Sequence, residues 1–346
     1  MNVHDLYMLR CIELAAAGRG WVHPNPLVGS VIVNQGSIIG EGYHARYGGP
    51  HAEVAAIQTV RDKSALKDET LYVNLEPCSH YGKTPPCADL IIQSGLKMVV
   101  VGMRDPYPEV SGRGIQRLRD AGIEVVVDVL RAECEALNER FIRFHAMQRP
   151  TIILKWAQTS DGFMDVDRTK GRLGSVAISG EETRRLVHLW RAQEHAILIG
   201  ARTAIHDRPS LTVRAVQGRN PIRLVLDAAL QVLPEGPLFD DAAPTHVLCD
   251  NVDSQPLHSF AKRIEHISTD IRLLLPWAYE QGIQSIFVEG GASILQQLIH
   301  ANCWDEARII TAPVMWGSGL KAPEIQGEVQ DEFSSGDDLV RVLRPT

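Results

Sequence analysis

Three short segments of this chain are useful only if the fold brings them to one point. They are His51-Ala52-Glu53, Pro77-Cys78 and Pro86-Cys87. One imidazole and two thiolates form a donor set that suits a tetrahedral zinc ion with its fourth position open. Water at an open position has a pKa that can fall to about 7, which makes a hydroxide nucleophile available at neutral pH. Glu53 lies two residues from the imidazole, placed to move protons without being a ligand. A single cysteine is more often a small buried hydrophobe, and His-x-Glu alone is common. The four residues in this order, each cysteine after a proline, make a metal site the stronger reading.

The pattern follows the His-x-Glu and Pro-Cys order of zinc nucleobase deaminases. It departs in one respect: the second cysteine comes nine positions after the first (87 − 78). The chain has 346 residues, more than one core usually supports, so two domains are expected, 1–146 and 151–346. Hydrophobic residues make up 45% and charged residues 22%, the balance of a globular enzyme. The net charge of −7 argues against a nucleic-acid partner, which needs a basic footprint. A small phosphorylated substrate held by a few Arg or Lys is compatible with it. The cysteines (Cys11, Cys78, Cys87, Cys134, Cys249 and Cys303) are dispersed, which suits a reducing cytoplasm. The first residues lack the basic and apolar stretches of a signal peptide. No apolar run approaches the ~18 residues of a membrane span. A homo-oligomer is expected.

Hydrophobic periodicity places helices over 6–17, 51–60, 88–94, 114–121 and 130–146. Strands fall at 28–33 and 37–42, joined by a turn at Asn34-Gln35-Gly36, and at 71–75, 98–102 and 124–129. After Pro150 come strands at 151–157, 196–200, 222–226, 245–249 and 285–288, with helices at 181–192 and 292–299. Such alternation implies layered α/β domains. His51 and Glu53 fall in the first turn of one helix and Cys87 opens another. Helix N-termini favour thiolate and developing negative charge. In the second half, Val288-Glu289-Gly290-Gly291 followed by a helix reads as a strand, a glycine turn and a helix N-terminus suited to a dinucleotide pyrophosphate. Gly40 to Ala45 formally fits G-x-G-x-x-A, but it ends a hairpin strand with no helix directly after it, so that reading is rejected.

The run His23-Pro24-Asn25-Pro26-Leu27-Val28-Gly29, then Gly42-Tyr43-His44, His51-Ala52-Glu53 and Leu75 to Cys87, resembles the deaminase half of the bifunctional riboflavin-biosynthesis deaminase/reductase family. Asp105-Pro106-Tyr107-Pro108 and Gly112-Arg113-Gly114 continue the likeness. The wide cysteine spacing is normal for that family. The second half resembles its reductase domain through Lys155, Ser160-Asp161-Gly162, Arg191-Ala192, Thr203, Asp207 to Arg214, Pro221-Ile222-Arg223 and Val288 to Gly291. Two departures stand out. The family often has Trp-Ile-(Thr/Ser) where this chain has Ala177-Ile178-Ser179, and its Ser-Leu-Asp-Gly is Thr159-Ser160-Asp161-Gly162 here.

The resemblance implies a cytidine-deaminase-like α/β/α domain followed by a dihydrofolate-reductase-like α/β domain. It implies hydrolytic deamination of a 2,5-diamino-6-ribosylamino-pyrimidinone 5′-phosphate, then reduction of the ribosyl unit to ribityl with NADPH. One zinc per chain is implied, held by His51, Cys78 and Cys87 with Glu53 as proton carrier. Substrate contacts are implied for Asn25, His80, Lys83, Ser175, Arg191, Leu211, Arg214 and Glu289. Cofactor contacts are implied for Ala157, Ala177, Thr203, Asp207, Ala228, Gly290, Gly291, Ala292 and Ser293. Some of these residues have plainer readings. His80 is equally well a solvated loop residue, and Asn25 a turn residue between prolines. Lys155 and Glu289 sit in or at the end of apolar strands, where an unpaired charge is costly. They either pair with each other or hold substrate and proton at the hydride-transfer centre, and the second reading is preferred. The rival reading of the whole chain is another zinc nucleobase or nucleoside deaminase whose second half only binds or regulates.

Overall fold

A computed structural model of the chain describes residues 2–81, 85–107, 111–169, 173–232, 235–250, 264–266 and 270–346. The chain divides into two compact units, Met1–Gln148 and Arg149–Thr346.

The first unit runs α1 (Val3–Ala16), β1 (Gly29–Asn34), β2 (Ser37–Tyr43), α2 (Ala52–Thr59), β3 (Thr70–Leu75), α3 (Cys87–Gln93), β4 (Met98–Met103), α4 (Arg113–Asp120), β5 (Glu124–Val126), α5 (Arg131–Leu137) and α6 (Glu139–Met147). The sheet order is β2-β1-β3-β4-β5. The β1–β2 hairpin turns through Gln35 and Gly36, both at positive φ (45° and 80°), the twist a two-residue hairpin turn requires. Alternation along the strands feeds two cores. Ile32, Leu71, Val73, Val99 and Val101 pack with Ala56, Ile91 and Leu118 from α2, α3 and α4. Val31, Tyr72 and Val100 pack with Met8 and Cys11 of α1 and Cys134 of α5. The unit is therefore a three-layer sandwich.

The helix expected over 130–146 is two helices that meet at Asn138. The buried Asn138 side chain accepts from Leu27 N at 2.8 Å and donates to Leu27 O at 2.9 Å. A side chain that serves another segment's backbone gives a physical reason for the break. Asn74 does the same from β3, donating to Leu27 O at 3.0 Å and accepting from Gly29 N at 2.8 Å. The strand expected to reach 129 stops at Val126, before the positive φ values of Asp128 (63°) and Leu130 (51°).

The second unit contains β6 (Thr151–Thr159), β7 (Phe163–Asp165), α7 (Glu181–Gln193), β8 (Ala196–Gly200), α8 (Ala201–Asp207), β9 (Ile222–Leu226), β10 (Thr245–Cys249), β11 (Ile264–His266), α9 (Ile271–Glu280), β12 (Ser285–Val288), α10 (Ala292–His300), β13 (Glu306–Ala312), β14 (Leu320–Lys321), β15 (Glu328–Ser335) and β16 (Asp338–Arg344). The large sheet has the order β11-β10-β9-β8-β12-β6-β13-β16-β15. It is parallel from β11 through β13 and antiparallel at β16 and β15. Strand β12 is late in sequence yet inserts between β8 and β6. That makes a topological switch point, with the carboxyl ends of all three strands at one edge. Ile152, Leu154, Leu198, Ile286 and Val288 face α9 and α10. Ile153, Ile197 and Phe287 face Val187 and Trp190 of α7. The closing β15–β16 ribbon was not expected from sequence. In β16 only Val340 and Leu343 are buried apolar residues, three positions apart and so on opposite faces, and most of β15 is exposed and polar.

Candidate active sites

In the first unit, β3 and α2 deliver the chemistry to one place. His51 caps the N-terminus of α2, one position before its first helical residue. Cys78 lies on the loop after β3, and Cys87 opens α3. His51 Nδ1 is 3.6 Å from Cys78 Sγ and 3.3 Å from Cys87 Sγ, and all three donor atoms lie within 4.8 Å of one another. Ligands on a tetrahedral zinc with ordinary Zn–N and Zn–S bonds are about 3.6 Å apart. The donor set and its spacing thus fit one zinc ion. Hydrogen bonding from Cys87, against burial, and from His51 holds the Cys78 thiol well below its usual range. A hydrogen bond with Cys78 likewise raises His51.

Glu53 is 4% exposed, inside the same cavity of about 260 Å³. Burial, followed by the charge on Cys78, pushes its carboxyl up to about 7. Asn25 and His80 also line this cavity, and Lys83 lies outside the described residues. Sequence reasoning assigned no role to His44, Asp105, Tyr107, Phe141 and His145, which also line the cavity. His44 Nδ1 lies 2.8 Å from the Pro50 carbonyl, so it is the protonated nitrogen, and Nε2 accepts from Asn25 Nδ2 at 3.0 Å. Burial lowers the His44 pKa, in keeping with a neutral ring. Asn25 is thereby oriented with its amide nitrogen occupied. His44 had stood only as part of a resembling run. On α6, Phe141 and His145 share a helical face at (i, i+4), and their ring centroids are 4.6 Å apart. Tyr107 lies 5.2 Å from the His145 ring. Together they form an aromatic wall.

In the second unit the register explains the charged cluster. Val288 pairs with Leu154, so the next residues, Glu289 and Lys155, stand level and on the face covered by α7. Lys155 Nζ is 3.2 Å from Glu289 Oε2. Arg191 of α7 reaches down to the same carboxylate, with Nε 2.5 Å from Oε1 and Nη2 2.9 Å from Oε2. Burial opposes ionisation of Glu289, but the Arg191 and Lys155 charges win and hold its pKa at about 2. Both readings of this pair keep their support: the charges do pair, and they do so at the strand ends of the switch point.

His188, one turn before Arg191, was not anticipated. Its Nδ1 accepts from Arg214 N at 3.2 Å. The exposed Arg214 guanidinium meets the Ser210 and Thr212 hydroxyls. Leu211, between them, is buried and held at φ 51°, a left-handed conformation unusual for leucine and common in functional loops. Ser175 and Ala177 lie on the exposed segment leading into α7.

Gly290 and Gly291 form the turn between β12 and α10, with Ala292 and Ser293 in the first turn of the helix. A Cβ on Gly291 would lie 3.3 Å from Thr203 Oγ1, and one on Gly200 would collide with Ile294 at 2.7 Å. The β8–α8 and β12–α10 turns therefore adjoin through absent side chains. This is a backbone-lined crevice of the kind that takes a dinucleotide phosphate. Ala157 is partly buried on β6, Asp207 ends α8 paired with Arg168 Nη2 at 2.9 Å, and Ala228 is exposed after β9.

The Glu289 pairing makes a pH prediction. Its folded pKa, about 2, lies below the ordinary 4.5. The ionised carboxylate therefore stabilises the folded unit above the ordinary value, by about 3 kcal/mol, and this is lost as pH falls toward the folded value. Unfolding curves of wild type and Glu289→Gln should differ most near neutrality and converge between about pH 4.5 and 2. A gap independent of pH contradicts the assignment.

Comparison with known proteins covers both units. The cytidine and deoxycytidylate deaminase zinc-binding region matches residues 1–103, and the RibD C-terminal domain matches residues 150–335. The riboflavin biosynthesis protein RibD of Aquifex aeolicus is 39% identical over 324 residues, covering 92% of this chain and 89% of its own. That of Escherichia coli is 40% identical over 335 residues, covering 92% and 89%. A crystal structure of a diaminohydroxyphosphoribosylaminopyrimidine deaminase/5-amino-6-(5-phosphoribosylamino)uracil reductase from Thermotoga maritima superposes with a TM-score of 0.90 at 36% identity, covering 99% of each chain. Acinetobacter baumannii RibD superposes equally well, with a TM-score of 0.90 at 30% identity over 99% of each chain. A zinc-type donor set in the first unit, a charged switch point in the second, and relatives aligned across both together place this chain in the RibD family of bifunctional riboflavin-biosynthesis deaminase/reductases.

Proposed function

We propose that the first unit deaminates 2,5-diamino-6-ribosylamino-4(3H)-pyrimidinone 5′-phosphate and the second reduces the ribosyl group of the product to ribityl. The observation that carries this reading is Glu53 buried in a cavity lined by His51 and Cys78, with the Cys87 sulfur within 4.8 Å of their donor atoms. Zinc on those donors supplies Lewis acidity that makes a water nucleophilic near neutral pH. Glu53 would carry two protons in turn: one from that water to a ring nitrogen, the second from the hydroxyl added to the ring carbon to the departing amine. The water oxygen ends on the pyrimidine carbon and the amine leaves as ammonia. Asn25, with its amide nitrogen held by His44, keeps its carbonyl oxygen for the substrate. His80, on the loop after Cys78, and Lys83, between the two cysteines in sequence, contact base or phosphate. The aromatic wall of Tyr107, Phe141 and His145 offers a flat surface for the ring.

In the second unit bound NADPH would supply a hydride to the ribosyl carbon that carries the nitrogen, C1′. Lys155 donates a proton to the oxygen generated as the ribosyl ring opens, and Glu289, 3.2 Å away, keeps the lysine aimed. Arg214, with the hydroxyls of Ser210 and Thr212, and Arg191 form the cationic, phosphate-binding end of the substrate site, with Ser175 and Leu211 at its rim. Gly290 to Ser293 and Thr203 would hold the cofactor's phosphates, with Ala157, Ala177, Asp207 and Ala228 completing its contacts. Among the described residues no helix is long and apolar enough to cross a membrane. Six free cysteines support a reducing, cytoplasmic setting. Assembly as a homo-oligomer belongs to the same reading and is measurable by sedimentation.

Glu53→Gln tests the deaminase reading. It keeps size but cannot accept a proton, so deamination should fall at least ~10²-fold with zinc content unchanged. Deamination at the wild-type rate would remove Glu53 from the proton path.

A further inference from the structure

Helix α4 touches neither the cavity donors nor Glu53 in any contact described above, yet it is tied to both cysteine-bearing segments. On the Cys78 side, the buried Glu76 carboxylate accepts four backbone N–H groups. Oε1 takes Gly114 N at 2.9 Å and Ile115 N at 3.2 Å; Oε2 takes Gly112 N at 2.9 Å and Asp105 N at 3.2 Å. Three of these donors belong to the first turn or cap of α4, where orphan N–H groups and the helix dipole favour an anion. Glu76 is two residues before Cys78. The α4 backbone also presses directly on this loop, because a Cβ on Gly114 would lie only 2.0 Å from the Pro77 carbonyl oxygen.

One turn along, Arg117 reaches both ligand segments at once. Its Nε is 2.6 Å from Asp89 Oδ1, two residues after Cys87, and its Nη1 donates to Ser79 O at 3.4 Å, next to Cys78. The two segments are cross-tied as well: Ala88 N donates to Cys78 O at 3.1 Å and Cys87 N to Cys78 Sγ at 3.3 Å.

We propose that α4 is a clamp that fixes the separation of Cys78 and Cys87, with Arg117 as the positioning residue that joins the two ligand loops through Asp89 and Ser79. The geometry of the thiols is then set before metal arrives, so less ordering is required on binding. The inference rests on the zinc reading of the site. It assigns Arg117 no contact with substrate. Because Arg117 is 41% exposed at its side chain, its removal is compatible with folding, unlike loss of Glu76 or a side chain at Gly114.

The test is a chelator competition on the full chain. Arg117→Ala, Asp89→Asn and the double variant are compared with wild type for zinc affinity and, after zinc removal, for melting temperature. Zinc should bind about tenfold more weakly in each single variant, the lower end of what outer-shell partners contribute. The double variant should be no worse than either single, because the two residues act as one unit. The zinc-stripped melting temperature should move by no more than about 4 °C, the reach of a partly exposed ion pair. Zinc bound as tightly as in wild type overturns the clamp, as does strict additivity or a loss of zinc affinity matched by unfolding of the stripped chain. Wild-type protein that holds no zinc overturns the metal reading itself, and the clamp with it.

Discussion

Cys78→Ser or Cys87→Ser should release the zinc and abolish deamination, yet leave hydride transfer intact when already-deaminated substrate is supplied. An alcohol is a poor zinc ligand beside a thiolate, and removing one of three protein donors leaves the His51 imidazole and one sulfur. The reduction step should persist because the two units have separate cores, and the Lys155–Glu289–Arg191 cluster lies wholly in the second. Metal analysis, ammonia release and NADPH absorbance read the three quantities independently. Full zinc in either serine variant refutes the donor set. Loss of NADPH oxidation in parallel with deamination refutes the independence of the units.

The complementary substitutions act on the other unit. Lys155→Ala or Glu289→Ala should stop NADPH oxidation and let the deaminated, unreduced intermediate accumulate. The physical reason differs between them. Lys155→Ala removes the proton donor and leaves Glu289 paired with Arg191 alone, a pairing that is still bidentate. Glu289→Ala leaves two buried cations without their anion, which costs stability as well as chemistry. Lys155→Ala is therefore the cleaner probe, and its melting temperature should stay closer to wild type than that of Glu289→Ala. Normal NADPH oxidation by Lys155→Ala assigns the triad a structural role only.

Much of the architecture was legible because alternation and helical period agree locally. The strands at 98–103 and 196–200 are runs of β-branched or aliphatic residues buried on both faces, and the metal donors are marked by residue type. What was not legible depends on tertiary partners. Asn138 reads as an ordinary helix interior residue until it is seen clasping Leu27. β15 has almost no buried side chain to announce it. His44 and His188 act through neighbours, one by holding Asn25 and the other by receiving the backbone of Arg214. No local spacing reports such contacts. The meeting of Lys155 with Glu289 joins residues 134 positions apart, and only the register of β12 against β6 predicts it.

The most direct test of the account is the product formed by the wild-type chain from the diaminopyrimidine phosphate, with and without NADPH, identified by mass. Without the cofactor the account predicts a single product in which one ring amino group has become a carbonyl, with ammonia released. With NADPH it predicts that this species gives way to one carrying two more hydrogens, with NADPH consumed in equal amount. A chain that deaminates the substrate but leaves both the product and NADPH untouched would contradict the bifunctional account and reduce the second unit to a binding module.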